Sequence, residues 1–215
     1  RRQRTGTGVK VRLVKGANLA MEKVEASLRG WPQAPYANKR DVDANFKRML
    51  QFGCEPENAV AVKLGVASHN LFDIAYALLL REYHGVTDRV EFEMLEGMAN
   101  SQAQAVQRSS GDMLLYAPVV RPEHFECAIA YLVRRLDENT SPENFLCDLF
   151  GLKEGSPAWS RQRDRFLAAS ERAHSSTLTT TPNRTQNRLT EQHWSVAKPF
   201  RNEPDTDFSL PQNRR

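Results

Sequence analysis

Tyr131, Arg134, Arg135 and Glu138 fall at offsets of 3, 4 and 7 in one apolar-periodic stretch. At about 100° per residue this spacing sets all four along one side of a helix. Two adjacent guanidinium groups can grip a single carboxylate through paired hydrogen bonds. Glu138, one turn beyond Arg134, can hold that arginine in place, and Tyr131 offers a face on which a small ring can pack. The same four residues would equally make a solvated salt-bridge face. Other capable groups lie earlier in the chain: Lys15 and Gly16, His69 and Asn70, Glu93 and Glu96, then Tyr116. None completes a Ser–His–Asp arrangement, and His69 has no partner at metal-ligand spacing. These residues point to a domain that binds a small carboxylate.

Such groups need a frame, and the intervening pattern supplies one. Val9–Val14 is a short β-branched run that stops at Lys15-Gly16-Ala17. Leu19–Leu28 and Asp41–Phe52 read as helices and Ala59–Val66 as a strand. Leu71, Ile74, Ala75, Leu78 and Leu79 recur at offsets of 3, 4, 7 and 8, the spacing of an amphipathic helix. Arg89–Leu95 and Met113–Tyr116 follow as strands, each trailed by a helix, Ala99–Gln107 and Pro122–Asn139. Four successive strand–helix units predict an α/β fold with parallel strands and right-handed crossovers. A doubly wound sheet and a piece of a (βα)8 barrel both satisfy that pattern. In either, sites form at the C-terminal ends of the strands, where Lys15, Gly16, His69, Asn70, Glu93 and Tyr116 fall. On the last of these helices Phe125, Ala128, Ile129, Leu132 and Leu136 share an arc and are expected to face the core. Beyond it, Pro142–Leu152 and Ser156–Arg172 read as two more helices, and the Ser/Thr/Asn/Gln-rich stretch after His174 as a linker.

Bulk properties narrow the class further. The chain has 215 residues, 30 Lys and Arg against 26 Asp and Glu, and a net charge of +4, too mild to argue for a nucleic-acid partner. Cys54, Cys127 and Cys147 are odd in number and widely spaced, so neither a disulfide framework nor a zinc site is indicated, and a reducing cytoplasm is the expected compartment. No apolar run reaches the length that spans a bilayer. The chain begins Arg1-Arg2-Gln3 without an initiator Met and reads as a piece of something larger.

Five segments carry a resemblance. VRLVKGA (Val11–Ala17), ASHN (Ala67–Asn70), FEMLEGM (Phe92–Met98), LYAPV (Leu115–Val119) and AYLVRRLDEN (Ala130–Asn139) resemble, in order and spacing, the proline dehydrogenase domain of bacterial bifunctional proline-utilisation flavoenzymes. The resemblance runs from about Val9 to Ala173. It implies strands 5–8 of a distorted (βα)8 barrel over 1–140, a helical extension over 141–173, a linker over 174–199 and the start of an NAD-dependent aldehyde dehydrogenase domain over 200–215. It implies FAD at the C-terminal face and oxidation of L-proline to 1-pyrroline-5-carboxylate, with electrons passing to a quinone at the membrane. Arg134 and Arg135 would clamp the proline carboxylate beside Glu138, while Tyr131, Tyr116 and Leu95 would wall the ring. Arg12 would lie near the flavin, where a cation stabilises the reduced form. Val14, Lys15, Gly16, Ala17, Lys39, Ser68, His69, Asn70 and Glu93 would line FAD.

The sequence departs from the family pattern in places. Ser68 stands where threonine is common, and Ala37 and Val42 replace threonines found near the adenine side, which removes hydrogen bonds to FAD. The resemblance also implies partners outside this chain: the earlier half of the barrel, the aldehyde dehydrogenase domain with its NAD, other copies in a homo-oligomer, and DNA where the parent has a DNA-binding domain. The parent is expected in the cytoplasm, peripherally at the membrane when reduced. Two alternatives remain: a structural or docking piece whose flavin site has decayed, and a phosphate-handling barrel lyase, which the lack of a Gly-rich phosphate loop weakens.

Overall fold

The computed structural model describes residues 2–16, 19–191, 199 and 202–214. In chain order the elements are α1 (Arg2–Thr5), β1 (Val9–Leu13), α2 (Leu19–Arg29), α3 (Lys39–Cys54), α4 (Pro56–Ala59), β2 (Val62–Ala67), α5 (Leu71–Tyr83), β3 (Val90–Leu95), α6 (Asn100–Ser110), β4 (Met113–Tyr116), α7 (Phe125–Thr140), α8 (Phe145–Asp148) and α9 (Pro157–Ala173), with single 3-10 turns between some of them. They fall into two units, Arg1–Ala17 with Lys39–Ser175, and Asn18–Asn38 with Ser176–Arg215.

In the first unit the four strands lie in the order β1-β2-β3-β4, every neighbouring pair parallel. A doubly wound sheet needs a point where strand order reverses. These four strands run in sequence without one, as in the wall of a barrel. The register aligns Leu13 with Val66, Val66 with Phe92 and Phe92 with Met113. Because side chains alternate across a sheet, this row faces the helices and forms the core with Phe46, Leu50 and Cys54 of α3 and Ile74 and Ala77 of α5. The opposite face carries Lys10, Arg12, Gly65, Glu91 and Glu93.

The second strand begins later than its sequence suggests. Pro56 starts a helical turn, which Asn58 fastens by donating to the Phe52 carbonyl at 2.8 Å, so Ala59 closes α4 instead of opening β2. The expected helix over Pro142–Leu152 is likewise broken. Asn144 caps α8 by accepting from the Leu146 N–H at 3.0 Å, and the chain then tightens into a 3-10 turn. A larger correction concerns α7. Its stripe was expected in the core, yet Ala128 alone is buried; Phe125 is 62% exposed, and Ile129, Leu132 and Leu136 are exposed as well. The helix lies past the last strand, with α8 and the turn before it as its main packing neighbours, so among the described residues no apolar layer covers the stripe.

The last helix belongs to the same unit as the sheet. Trp159 and Phe166 of α9 meet Phe72 and Tyr76 of α5 with centroids 4.9 and 5.8 Å apart. Arg172 donates to Asp41 at 2.6 Å, and Arg48 donates to the Ala173 carbonyl at 2.7 Å.

The second unit joins α2 to the polar stretch read as a linker. Tyr36 donates to the Thr179 carbonyl, the Arg184 guanidinium lies 4.5 Å from the centre of the Trp31 ring, and Asn213 donates to Gln186 and Asp207 at 3.1 Å. Here Asn, Gln and Arg side chains satisfy backbone groups where no sheet or helix does, so polarity does not leave the stretch without structure. Residues 192–198, 200, 201 and 215 of the expected linker and following domain lie outside the described residues. Among the described residues no helix is long and apolar enough to cross a membrane.

Candidate active site

The uncovered face of the sheet is built from charge. Glu93 is fully buried and receives the Arg12 guanidinium from two strands away. Lys10 reaches the same carboxylate at 2.8 Å and also pairs with Glu91, which Lys63 meets at 2.6 Å. The intervening strand leaves room for this because it has Gly65 at the crossing point; a Cβ there would collide with Glu93 Oε1. Arg12, still partly open to solvent, lies 4.7 Å from the centre of the Tyr116 ring. A cation over an aromatic face is attracted by the ring quadrupole. Leu95 is paired in register with Tyr116 and so shares its side of the sheet.

The tips of β2 and β3 are tied through His69. The Leu95 N–H donates to its Nε2 at 3.3 Å, which makes Nε2 the acceptor and leaves the proton of the neutral ring on Nδ1. Burial lowers the imidazole pKa and keeps the ring neutral. The Nδ1 donor is buried with no hydrogen-bond partner. Ser68 accepts from the Asn70 N–H at 3.1 Å, and Asn70 caps α5 by accepting from the Phe72 N–H at 3.0 Å. Val14 and Gly16, just past β1, are exposed, and Gly16 has φ +79° with no atom within 4 Å of where a Cβ would stand.

On α7 the pairing differs from the one expected. Glu138 binds Arg135 at 2.9 Å, one step closer along the helix than Arg134. Arg135 is mostly buried and lies 5.3 Å from the centre of the Tyr131 ring, which directs its fork toward the carboxylate, while Arg134 is exposed. Burial raises the Glu138 pKa against the pull of Arg135 and then Arg134. Asn139 anchors this end of the helix by donating to Met98 Sδ at 3.0 Å, just after β3. Burial and then the Tyr131 phenol push the Tyr116 pKa up, against Arg12 and Arg135. Tyr116, Tyr131, Arg12 and Arg135 therefore share one electrostatic neighbourhood.

Two expected site residues have carboxylate partners. Lys15 turns behind the sheet to Asp73 and, at 3.0 Å, to Asp43. Lys39 pairs with Asp43, and the buried Lys47 meets Asp73 at 2.7 Å. Ala17 lies outside the described residues. The sequence reading passed over Lys10, Glu91, Lys47 and Asp73. Lys10 with Arg12 and Glu91 with Glu93 stand two apart on their strands, which is the signature of a charged sheet face. Lys47 and Asp73 had no such signal, since each looks like an exposed helix charge. No group of three metal-ligating side chains occurs among the described residues.

Residues 1–148 match the family model described as proline dehydrogenase. The chain is 32% identical over 150 residues to the bifunctional protein PutA of Rhizobium meliloti, which covers 67% of this chain and 12% of that protein. It is 30% identical over 132 residues to proline dehydrogenase 2 of Bacillus subtilis (strain 168), 61% of this chain and 37% of the relative. The chain thus spans well under half the length of these relatives. Among solved structures it is similar to proline utilization A (PutA) from Corynebacterium freiburgense, with 38% identity and a TM-score of 0.75 over 99% of this chain and 19% of the other. PutA from Bdellovibrio bacteriovorus gives 32% identity and 0.72 over 99% and 20%. The four βα units are the second half of a distorted (βα)8 barrel, followed by extra helices.

Proposed function

Because the chain belongs to the proline dehydrogenase family, we propose that it carries the later half of a site that oxidises L-proline to 1-pyrroline-5-carboxylate with FAD. Two features fit a flavin. The unpartnered His69 Nδ1 donor suits a ring carbonyl or nitrogen, and the open space at Gly16 lets a ligand approach the backbone closely. Arg12, Val14, Gly16, Ala17, Lys39, Ser68, His69, Asn70 and Glu93 would hold the group. FAD held there would supply the hydride acceptor: proline loses a hydride from the carbon beside nitrogen and a proton from nitrogen, and that ring C–N bond becomes C=N.

The chain's own residues bind and orient. Arg134 and Arg135 take the carboxylate; Tyr131, Tyr116 and Leu95 pack the ring and exclude water. Arg12 sets a cation at the same mouth, where negative charge collects as the hydride is transferred. The observation that carries this reading is the shared neighbourhood of Arg135, Tyr131, Tyr116 and Arg12. The wider protein would pass electrons to a membrane quinone and, from 200 onward, begin an NAD-dependent aldehyde dehydrogenase domain. That last reading is supported by the PutA likenesses, which cover 99% of this chain.

A second reading, a structural or docking piece, is favoured by the exposed stripe of α7 and by Ala37 and Val42. One experiment separates them. Replacing Arg134 and Arg135 by Met in the full-length protein is expected to weaken proline binding about 100-fold, from the loss of two charge-assisted hydrogen bonds, while the flavin spectrum is retained. Unchanged proline affinity would remove the carboxylate clamp.

A further inference from the structure

Behind the sheet lies a buried charge cluster that the proposed reaction does not use. It runs Lys47, Asp73, Lys15, Asp43, Lys39, each member bonded to the next. Asp73 is 1% exposed and Lys47 2%. Three ammonium groups thus share two carboxylates, and Lys15 is the central one, bonded to both. Burial alone would pull Lys15 down, but Asp73 and Asp43 outweigh it and hold the ammonium above its ordinary range. Its neighbour Phe46, in the core of α3, lies 5.2 Å from it.

The positions of the partners matter more than their charge. Lys15 stands in the turn between the exposed Val14 and Gly16. Asp73 is in the first turn of α5, three residues after the Asn70 cap and four after His69. Asp43 is one turn into α3, whose first residue is Lys39. One side chain therefore ties together the turn after β1, the entry to α5 and the entry to α3, all of which carry residues assigned to FAD.

We propose that Lys15 is a positioning residue, holding these three segments in register from behind the sheet, and that its ammonium does not touch the cofactor. The inference rests on the FAD reading above. It takes Lys15 out of the residues assigned to contact FAD and leaves Lys39, at the outer end of the cluster, among them.

Lys15→Met is a clean test because its removal leaves two neutral pairs, Lys47 with Asp73 and Lys39 with Asp43, so the fold keeps its buried charges matched. In the full-length protein without FAD, amide exchange in the 14–16 and 69–70 segments is expected to speed up about 10-fold or more, and Lys15→Arg should restore it. Unchanged exchange in Lys15→Met overturns the proposal, and that result stands whether or not FAD proves to be the ligand. Asp73→Asn then separates anchor from ligand, since Asp73 bonds Lys15 and the buried Lys47 while Lys39 keeps Asp43. If Lys15 met FAD, loss of that carboxylate would tighten binding; for an anchor, FAD titration should show weaker binding, about 10-fold by the same local loosening. Tighter binding in Asp73→Asn also overturns the proposal. A wild type that binds no flavin, with the exchange result intact, would sink the FAD reading and leave the anchor.

Discussion

Arg12 and Glu93 meet across the strand that separates them, the guanidinium on β1 reaching a carboxylate on β3 that no solvent touches. The contact is possible because β2 presents Gly65 to this face. A buried carboxylate with one partner removed is costly, so the pair, with Lys10, both fixes Arg12 and shields Glu93. That orientation turns the Arg12 head over the Tyr116 ring.

The first prediction follows from that crossing. Gly65→Ala puts a methyl group where Glu93 Oε1 now lies, so the carboxylate must shift and drag Arg12 with it. Overpacking of this kind costs about 1–3 kcal/mol. Urea denaturation of the full-length protein should show that loss, together with weaker flavin binding. Full stability in Gly65→Ala would mean that the inner face has slack the geometry does not reveal.

A second prediction concerns Glu138. It binds Arg135, not Arg134, so in the proposed site it would aim the less exposed guanidinium of the pair. Glu138→Gln should raise the KM for proline by about 5- to 30-fold, the worth of one oriented charge-assisted bond, with flavin content and kcat close to wild type. A fall in KM would show that Glu138 competes with substrate for the arginine and would reverse the assignment.

How much of this was legible beforehand depends on what each residue's signal was. The four strands, their parallel order and the helices after them follow from local periodicity, and the structure keeps them within a few residues. The cluster at the strand tips was legible because barrel geometry makes that end the expected site, and because short motifs mark the positions. The α7 stripe misled because periodicity reports which face is apolar, not whether anything lies against it; Phe125, Ile129 and Leu136 have the pattern of a core face and remain exposed. The partners of Lys15 and Lys39 were hidden for a different reason. A motif gives a residue's position in the chain, but the direction of a long side chain is set by distant partners, here Asp43 and Asp73. Lys47 and Asp73 could not be found at all, since 26 residues separate them and each sits in an ordinary helical turn.

The third prediction is a pH dependence. Burial lowers the His69 pKa below its ordinary 6.5. Above that value the ring is neutral in both the folded and the unfolded chain and contributes no pH dependence. Below it the unfolded chain takes up a proton that folded His69 resists, so acid favours unfolding until the folded value is reached. Stability should therefore fall as the pH drops below 6.5, with a His69 component of up to about 1.4 kcal/mol per pH unit. Parallel urea titrations of wild type and His69→Gln isolate that component, since the carboxylates titrate alike in both. Identical slopes would mean that the imidazole is solvated. If FAD accepts a hydrogen bond from Nδ1, the flavin-loaded protein should lose stability less steeply over the same range, because that bond is kept and strengthened in the imidazolium.

The last prediction tests whether α9 is part of the barrel unit or an accessory to it. Trp159 lies tilted against Phe72, and Phe166 lies against Tyr76 with its ring centre 4.1 Å from the Lys47 ammonium. Lys47 is bonded to Asp73, which Lys15 also holds. Truncating Trp159 to Ala removes a large aromatic contact and opens space beside α5, at a cost of about 3 kcal/mol. If α9 were merely attached, the loss would stay local, visible as faster amide exchange in α9 with the sheet unaffected. The packing of α9 on both α3 and α5 argues for the other outcome: a single cooperative transition that moves to lower urea concentration as a whole, with α5 and β2 losing protection together. Trp159→Phe, which keeps an aromatic ring against Phe72, should recover more than half of the difference. Two separate transitions in Trp159→Ala would instead divide the unit, and would make α9 a layer added to a sheet that stands without it.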